Sequence, residues 1–417
     1  PGLSIEEAGS YGLTMGTIHR ALYNTLAIEP GKRLFVEGAS TGTGYDCLRS
    51  ALSSSCAALG MVSSDSRGER VEAVGGHAIN RKDDRWADIF TAVPDDPSEW
   101  AAWEAAGEAF VAEAEKKVGG QIDYSVSHAG ETAFPRSFQL LGEDGVLTFY
   151  GASSGYRFTF MGKAGASTPA AQFSKAGLRA GQSLLVVYGP GAEDGIVDPV
   201  AIEAIEVGCQ RGAQVAVLVD TVSQREFVTS LGFGAQMKGV VSIEEIERRL
   251  GDEFDPPGPF QQMPNPFTES AAFKESVRAF SDRTLKPIGS AIAPLLRNTL
   301  DKRGLPDVVF ERAGRDGLAL ATSLVKPNVG KIVYSEDLKG SRFSFYAPQV
   351  WMRQRRILMP TAEIRGTHLN TSREFAEMQE RIAAGHINIL PPTIIPMEDV
   401  PEAHQAMWEN RHAGANY

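Results

Sequence analysis

Gly38-Ala39-Ser40-Thr41-Gly42-Thr43-Gly44 follows the apolar run LFV at 34–36 and opens a helix-like segment. The spacing Gly38-x₃-Gly42-x-Gly44 lets a strand–helix turn close tightly. It also lets backbone N–H groups approach a pyrophosphate at the positive end of the next helix. Such a loop is weak on its own, because a tight turn with no ligand reads the same way. Here a strand precedes it, a helix follows, and a second strand comes about 20 residues on, which is the context the chemistry requires. That second strand ends in Val62-Ser63-Ser64-Asp65-Ser66-Arg67, with Arg70 close behind. A carboxylate at this point favours an unphosphorylated ribose, whereas hydroxyls and cations favour a 2′-phosphate. Hydroxyls come first and arginines follow, so the predicted cofactor is NADP(H), with Asp65 the dissenting residue.

Other chemistry is thinner. The seven histidines (His19, His77, His128, His368, His386, His404, His412) show no ligand spacing such as HxxxH, and Cys47, Cys56 and Cys209 are too scattered for a thiolate site or a disulfide framework. No metal site is expected, and few cysteines suit a reducing, cytoplasmic setting. A net charge of −11 repels a phosphate backbone, so nucleic-acid binding is not expected, although a local basic pocket still admits an anionic small ligand. No apolar run approaches the ~18 residues of a membrane span; LLVVY (184–188) and VAVLV (215–219) are strand-length. The opening PGLSIEEAGS has no initiator Met, basic region or apolar stretch, so it is not a signal peptide and reads as a cut within a longer chain.

The elements that position these residues alternate strand and helix, the pattern of a doubly wound parallel sheet. At about 150 residues per domain, 417 residues predict two or three domains. The chain also repeats itself. GKRLFVEGASTGTG from Gly31 is answered by GQSLLVVYGPGAEDG from Gly181, and IDYSVSHAG (122–130) by PDVVFERAG (306–314). GVLTFYGASSGYRFTF (145–160) is answered by GKIVYSEDLKGSRFSF (330–345), with Arg157/Arg342, Phe158/Phe343 and Phe160/Phe345 in step. The second copy carries about 34 extra residues, assigned to the proline-rich loop 252–267. The fold class is therefore α/β, two tandem Rossmann-like doubly wound parallel-sheet domains related by duplication. The expected boundaries are 1–163 for an NADP-binding domain, 164–345 for its degenerate duplicate, and 346–417 for a C-terminal segment. The duplicate's turn, Tyr188 to Gly195, sets Glu193 and Asp194 where a pyrophosphate would lie, and like charges repel. Its second strand ends in Asp220, which suits an unphosphorylated ribose. The preferred reading is a structural duplicate, with a degenerate NAD site left open.

AGSYGLTMGTIHRALYNTLAIEPGKRLFVEGASTGTG (8–44) resembles the entry to the nucleotide domain of medium-chain dehydrogenase/reductases. AINRKDDRW (78–86), the helical insert after it, IDYSVSHAGETAFPRS (122–137), GASSGY (151–156) and VWMRQRRILMPTAEIRGTHLN (350–370) narrow this. They resemble crotonyl-CoA carboxylase/reductases and the acrylyl-CoA reductase part of propionyl-CoA synthase. The resemblance covers 1–163 and about 341–417. The duplicate between these segments departs from the family and favours the propionyl-CoA synthase type. The family's N-terminal catalytic lobe, which precedes the AGSYGLT segment there, is lacking, and the C-terminal segment would be the end of that lobe.

The resemblance implies NADPH-dependent reduction of an enoyl-CoA, acrylyl-CoA to propionyl-CoA. Gly38, Ala39, Ser40, Gly42 and Gly44 then match the phosphate turn, and Thr14 and Thr17 positions near the nicotinamide. Ser63, Ser64 and Arg67 match the 2′-phosphate region, Asn80 and Arg81 the adenine-side loop, and Gly151, Ala152 and Ser153 the loop facing the nicotinamide. His368 matches the active-site histidine, where an imidazole can order a water or donate a proton to an enolate; the alternative is a solvated loop histidine. Arg353, Arg355 and Arg356 form the densest short cationic run, and arginine forks suit the phosphates of CoA; the alternative is an exposed polar face. Implied partners are the CoA thioester and other catalytic domains of the same polypeptide, with a homo-oligomer left open. Competing readings are a quinone or aldehyde reductase of the same superfamily and a non-catalytic scaffold.

Overall fold

Short aliphatic runs closed by glycine turns fold as parallel strands buried on both faces, and the amphipathic segments between them cover the sheets. The computed structural model describes residues 4–40, 42–189, 195–257, 269–297, 301–314, 317–387 and 393–409. The chain divides into two compact units, Pro1–Ser154 with Arg365–Tyr417, and Gly155–Ile364.

In the first unit β1 (Arg33–Val36), β2 (Ala57–Val62), β3 (His77–Asn80), β4 (Ile122–Ser127) and β5 (Leu141–Phe149) pair in parallel in the order β3-β2-β1-β4-β5. Leu34 of β1 lies between Ala58 and Tyr124. The chain runs outward from β1 to β3 and then returns to the other side of β1. That reversal opens a crevice beyond the carboxyl ends of β1 and β4. The helices are α1 (Ile5–His19), continued by a π-helical turn Arg20–Leu26, then α2 (Gly42–Ser53), α3 (Asp65–Glu72), α4 (Trp100–Val118) and α5 (Phe134–Gln139). Leu34, Val36, Leu48, Ala58 and Val126 form one core with Met15 and Ile18 of α1. Met378 of the helix Ser372–Ala383 joins that core, and Phe375 stacks on Tyr11 at 6.2 Å. Helix α4, the insert, buries a stripe of Trp103, Gly107, Phe110, Ala114 and Val118 at helical spacing.

The second unit contains β6 (Arg157–Met161), β7 (Ser183–Val187), β8 (Gln214–Val219), β9 (Met237–Ser242), β10 (Val308–Glu311), β11 (Lys331–Val333), β12 (Arg342–Tyr346) and β13 (Arg356–Leu358). Its parallel sheet runs β9-β8-β7-β10-β11-β13. The first five strands in that order match β3-β2-β1-β4-β5, so the two units share their strand order. Its longer helices are α6 (Pro169–Ala176), α7 (Pro199–Gln210), α8 (Val222–Ser230), α9 (Ile243–Leu250), α10 (Ser270–Ala279), α11 (Lys286–Leu296) and α12 (Gly317–Leu324). Part of the second copy's extra length is therefore helical, in α10 and α11. Of the proline-rich loop, residues 258–267 lie outside the described residues, as do 190–194 of the duplicate's turn.

The unit boundaries differ from those read in the sequence, for a packing reason. Residues 155–163 contain β6, which pairs antiparallel with β12, Phe158 opposite Phe345 and Phe160 opposite Phe343. Residues 346–364 add β13 to the second sheet, and the chain returns to the first unit at Arg365. No helix among the described residues is long and apolar enough to cross a membrane.

Candidate functional site

Between β1 and α2 the chain turns at Glu37-Gly38-Ala39-Ser40, with Thr41 outside the described residues. Gly38 adopts φ +57°, and a Cβ on Gly44 would stand 2.3 Å from the Gly38 carbonyl oxygen. That approach admits only glycine and brings the first turn of α2 against the loop, where its N–H groups have no intrahelical acceptor. The Ala39 N–H donates to the Met61 carbonyl at 3.0 Å. Ala39 therefore ties the turn to β2 instead of meeting a ligand, a correction to its predicted role.

A cleft of about 310 Å³ opens at this turn, beyond the carboxyl ends of β1, β2 and β4. Six residues read from the sequence line it: Gly38, Ser40, Ser63, Arg67, Arg81 and Ser153. Arg67 Nη1 donates to Ser63 Oγ at 3.0 Å, which leaves the serine proton to be donated outward. Asp65 does not line the cleft. Its carboxylate accepts from Asn80 Nδ2 at 2.9 Å, and both residues line a separate hollow beside Trp86. Asn80 is thus the residue that holds Asp65, while Arg81 faces the cleft. Ser64 is the N-cap of α3 and shares a 3.1 Å hydrogen bond with Ser66.

Sequence reasoning missed the floor of the cleft. Glu37 is fully buried, and its Oε2 accepts the N–H groups of His128 (3.0 Å) and Ala129 (2.9 Å) while Oε1 accepts from the Ser137 hydroxyl. One carboxylate thus fastens the end of β1 to the end of β4. Its signal was present as a Glu inside an otherwise apolar strand end. His128 lines the cleft and stacks on Tyr150 at 5.7 Å. Burial lowers its pKa against the opposing pull of Glu37, so the ring is neutral at pH 7. Across from it a Cβ on Gly151 would meet the His128 carbonyl at 2.9 Å. Ala152 is buried, and Ser153 Oγ donates to the Ala129 carbonyl at 3.0 Å. The 151–153 loop is thereby pinned to the residues after β4.

Thr14, Thr17 and His368 are not among the residues lining the cleft. Thr14 and Thr17 are half-buried on α1, and that helix packs on the segment carrying His368. A Cβ on Gly16 would lie 2.8 Å from Asn370, and Thr25 Oγ1 donates to Thr367 Oγ1 at 3.0 Å. The Thr367 N–H donates to the Phe149 carbonyl at 3.3 Å, so this segment runs beside the end of β5 that launches Gly151. Burial and then the Arg20 charge lower the His368 pKa. Arg20 itself pairs with Glu374 at 2.5 Å.

The arginine run divides. Arg355 is buried, and its guanidinium donates to the carbonyls of Val325 (2.5 Å) and Gln349 (2.9 Å). It is a structural arginine, which corrects its assignment to CoA. Arg356 Nε pairs with the buried Glu363, and only Arg353 of the three is exposed. Among the described residues no group of three His, Cys, Asp or Glu side chains is placed to hold a metal ion.

Residues 290–415 match the family model described as zinc-binding dehydrogenase. The chain is similar to a crotonyl-CoA carboxylase/reductase of Cereibacter sphaeroides, 27% identical over 171 residues, covering 38% of this chain and 37% of that protein. It is similar to a crotonyl-CoA reductase of Streptomyces avermitilis, 29% identical over 160 residues, covering 37% of this chain and 34% of that protein. A solved crotonyl-CoA carboxylase/reductase is 28% identical with a TM-score of 0.35, covering 38% of each chain. The chain thus spans little more than a third of the curated relatives it matches.

Proposed function

We propose that this chain, a relative of crotonyl-CoA carboxylase/reductases that carries a zinc-binding dehydrogenase segment, is the nucleotide-binding part of an NADPH-dependent enoyl-CoA reductase. The reaction proposed is acrylyl-CoA to propionyl-CoA, within a multifunctional enzyme of the propionyl-CoA synthase type. The cofactor reading is carried by one observation. The cleft at the Gly38–Gly44 turn is lined by Ser63, Arg67 and Arg81, while the nearby carboxylate of Asp65 is held away by Asn80. Cations without a carboxylate suit a 2′-phosphate. The substrate class is supported by the relatives, and acrylyl-CoA by the sequence resemblance.

NADPH, when bound, supplies a hydride for the β-carbon of the thioester, the π electrons move to the carbonyl as an enolate, and a proton at the α-carbon completes the product. The turn and the start of α2 would hold its pyrophosphate, and the pinned 151–153 loop would orient its nicotinamide. His368, kept neutral by burial, orders water or moves a proton at the α-carbon. Exposed Arg353 is the remaining candidate for the CoA phosphates.

The test is NADPH oxidation by the polypeptide that carries this chain, with acrylyl-CoA assayed beside a simple quinone and an aldehyde. Turnover of the quinone or aldehyde with none of the thioester would overturn the assignment. His368→Ala is expected to lower kcat by up to about 10²–10⁴-fold if the imidazole acts on the enolate, and by less if it only orders water.

A further inference from the structure

The second unit holds a larger cleft, about 510 Å³, at the carboxyl ends of β7 and β8. This is the point where its strand order reverses, the same topological position as the cleft of the first unit. Ala313, which the repeat aligns with Ala129, lines this cleft as Ala129 lines the other. The walls are Val187, Leu218, Ile243 and Leu320, an apolar slot fit for a flat ring.

The polar lining differs from that of the first unit. Asp220, Thr221, Glu244 and Glu247 face the cleft, and no lysine or arginine does so among the described residues. Asp220 is built in place. Its N–H is held by Gln224 Oε1 at 2.9 Å and its carbonyl accepts the Glu244 N–H at 2.9 Å. Its carboxylate has no hydrogen-bond donor among the described residues. The Glu244 carboxylate, by contrast, is taken by the Val222 N–H and Arg248.

A second group stands behind the wall. Glu311, fully buried at the end of β10, packs against Gly317 of the lining. A Cβ there would come within 2.3 Å of its Oε1. Its Oε2 is buried with no partner among the described residues. Burial pushes its pKa up to about 8, so at pH 7 it is a neutral acid with an O–H to donate.

We propose that this cleft is a second ligand site, which takes a nucleoside with an unphosphorylated ribose, its base between the apolar walls and its cis-diol on the Asp220 carboxylate. A carboxylate at the end of the second strand accepts from both ribose hydroxyls, and the absence of a lining cation among the described residues disfavours a phosphate beside them. NADPH and CoA, each phosphorylated on that ribose, are disfavoured by the Asp220 carboxylate. Free adenosine and the adenosine end of NAD both present the diol. The proposal is independent of the reductase reading, because it concerns the other unit and a different ligand.

The experiment is calorimetric titration of the whole chain, kept saturated with NADPH, with adenosine, 2′-deoxyadenosine and NAD⁺ in separate runs. Saturable adenosine binding is expected, weakened at least about tenfold by loss of the 2′-hydroxyl or by Asp220→Asn, since hydrogen bonds to charged groups carry about 1.5–3 kcal/mol. NAD⁺ binding more tightly than adenosine would identify the dinucleotide as the source, and equal or weaker binding the free nucleoside. Asp220 is exposed, so the variant leaves the core intact, and its circular dichroism and melting temperature check this. No saturable adenosine binding, or binding unchanged by Asp220→Asn, would overturn the proposal.

Discussion

At the scale of single residues, cofactor choice turns on Asp65. In the sequence it speaks against a 2′-phosphate, and in the structure it accepts a hydrogen bond from Asn80 and does not line the cleft. Arg67→Ala should therefore raise the Kd for NADPH by about ten- to a hundredfold, the usual range for a charge-assisted contact, and leave NADH binding nearly unchanged. Fluorescence titration with both nucleotides checks this, and equal losses for the two would count against a 2′-phosphate contact. His19 offers a separate test. Both ring nitrogens are buried without partners among the described residues, and burial, then the Arg381 charge, lower its pKa. The unfolded chain takes up a proton near pH 6.5 and the folded chain resists it, so this contribution is complete above that pH and is lost as pH falls below it. His19→Leu should remove an unsatisfied buried group, for a gain of about 1–3 kcal/mol, and should flatten the fall in melting temperature between pH 7.5 and 5.5. An unchanged slope would show that other histidines, such as His128, carry the acid sensitivity.

At the scale of elements, the cleft depends on strand ends held in register. Glu37 satisfies two backbone N–H groups after β4 and the Ser137 hydroxyl, all without solvent. Glu37→Ala leaves each of these donors buried and unpaired, at about 1–3 kcal/mol apiece. It should lower both the melting temperature and NADPH affinity. Glu37→Gln keeps an acceptor for the two N–H groups, and the serine hydroxyl can accept from its amide, so the loss should be much smaller. Glutamine proving as harmful as alanine would mean that charge, not acceptor geometry, holds the site. The arginine run 353–356 depends on tertiary packing in the same way. Composition marks 353–356 as a dense cationic run, but only the packed chain brings the carbonyls of Val325 and Gln349 to Arg355.

At the scale of the whole molecule, two units share a strand order but not a cleft lining. The first cleft carries Arg67 and Arg81, and the second carries Asp220, Glu244 and Glu247. NADPH at about 100 times its Kd stabilises the state that binds it by about 2.7 kcal/mol. In hydrogen exchange that protection should appear on peptides from 33–67 and 122–137 and be absent from 183–220. Protection of both sets would mean that the duplicate also takes NADPH.

What the sequence determined is what depends on local pattern. Apolar runs and glycine turns define the strands, the repeat defines two copies, and Gly38-x₃-Gly42-x-Gly44 with Ser63 and Arg67 marks where the cleft of the first unit lies. Each is set by neighbours within a few residues or by one residue type that the backbone requires, as at Gly44. What only the tertiary structure decided involves partners far apart in the chain. Glu37 meets His128 across 91 positions, and Thr25 meets Thr367 across 342. The unit boundaries moved to 155 and 364 because β6 pairs with β12 and because β13 joins the second sheet. Burial, which sets the neutral state of His128 and His368, comes from packing in three dimensions and leaves no mark at those positions in the sequence.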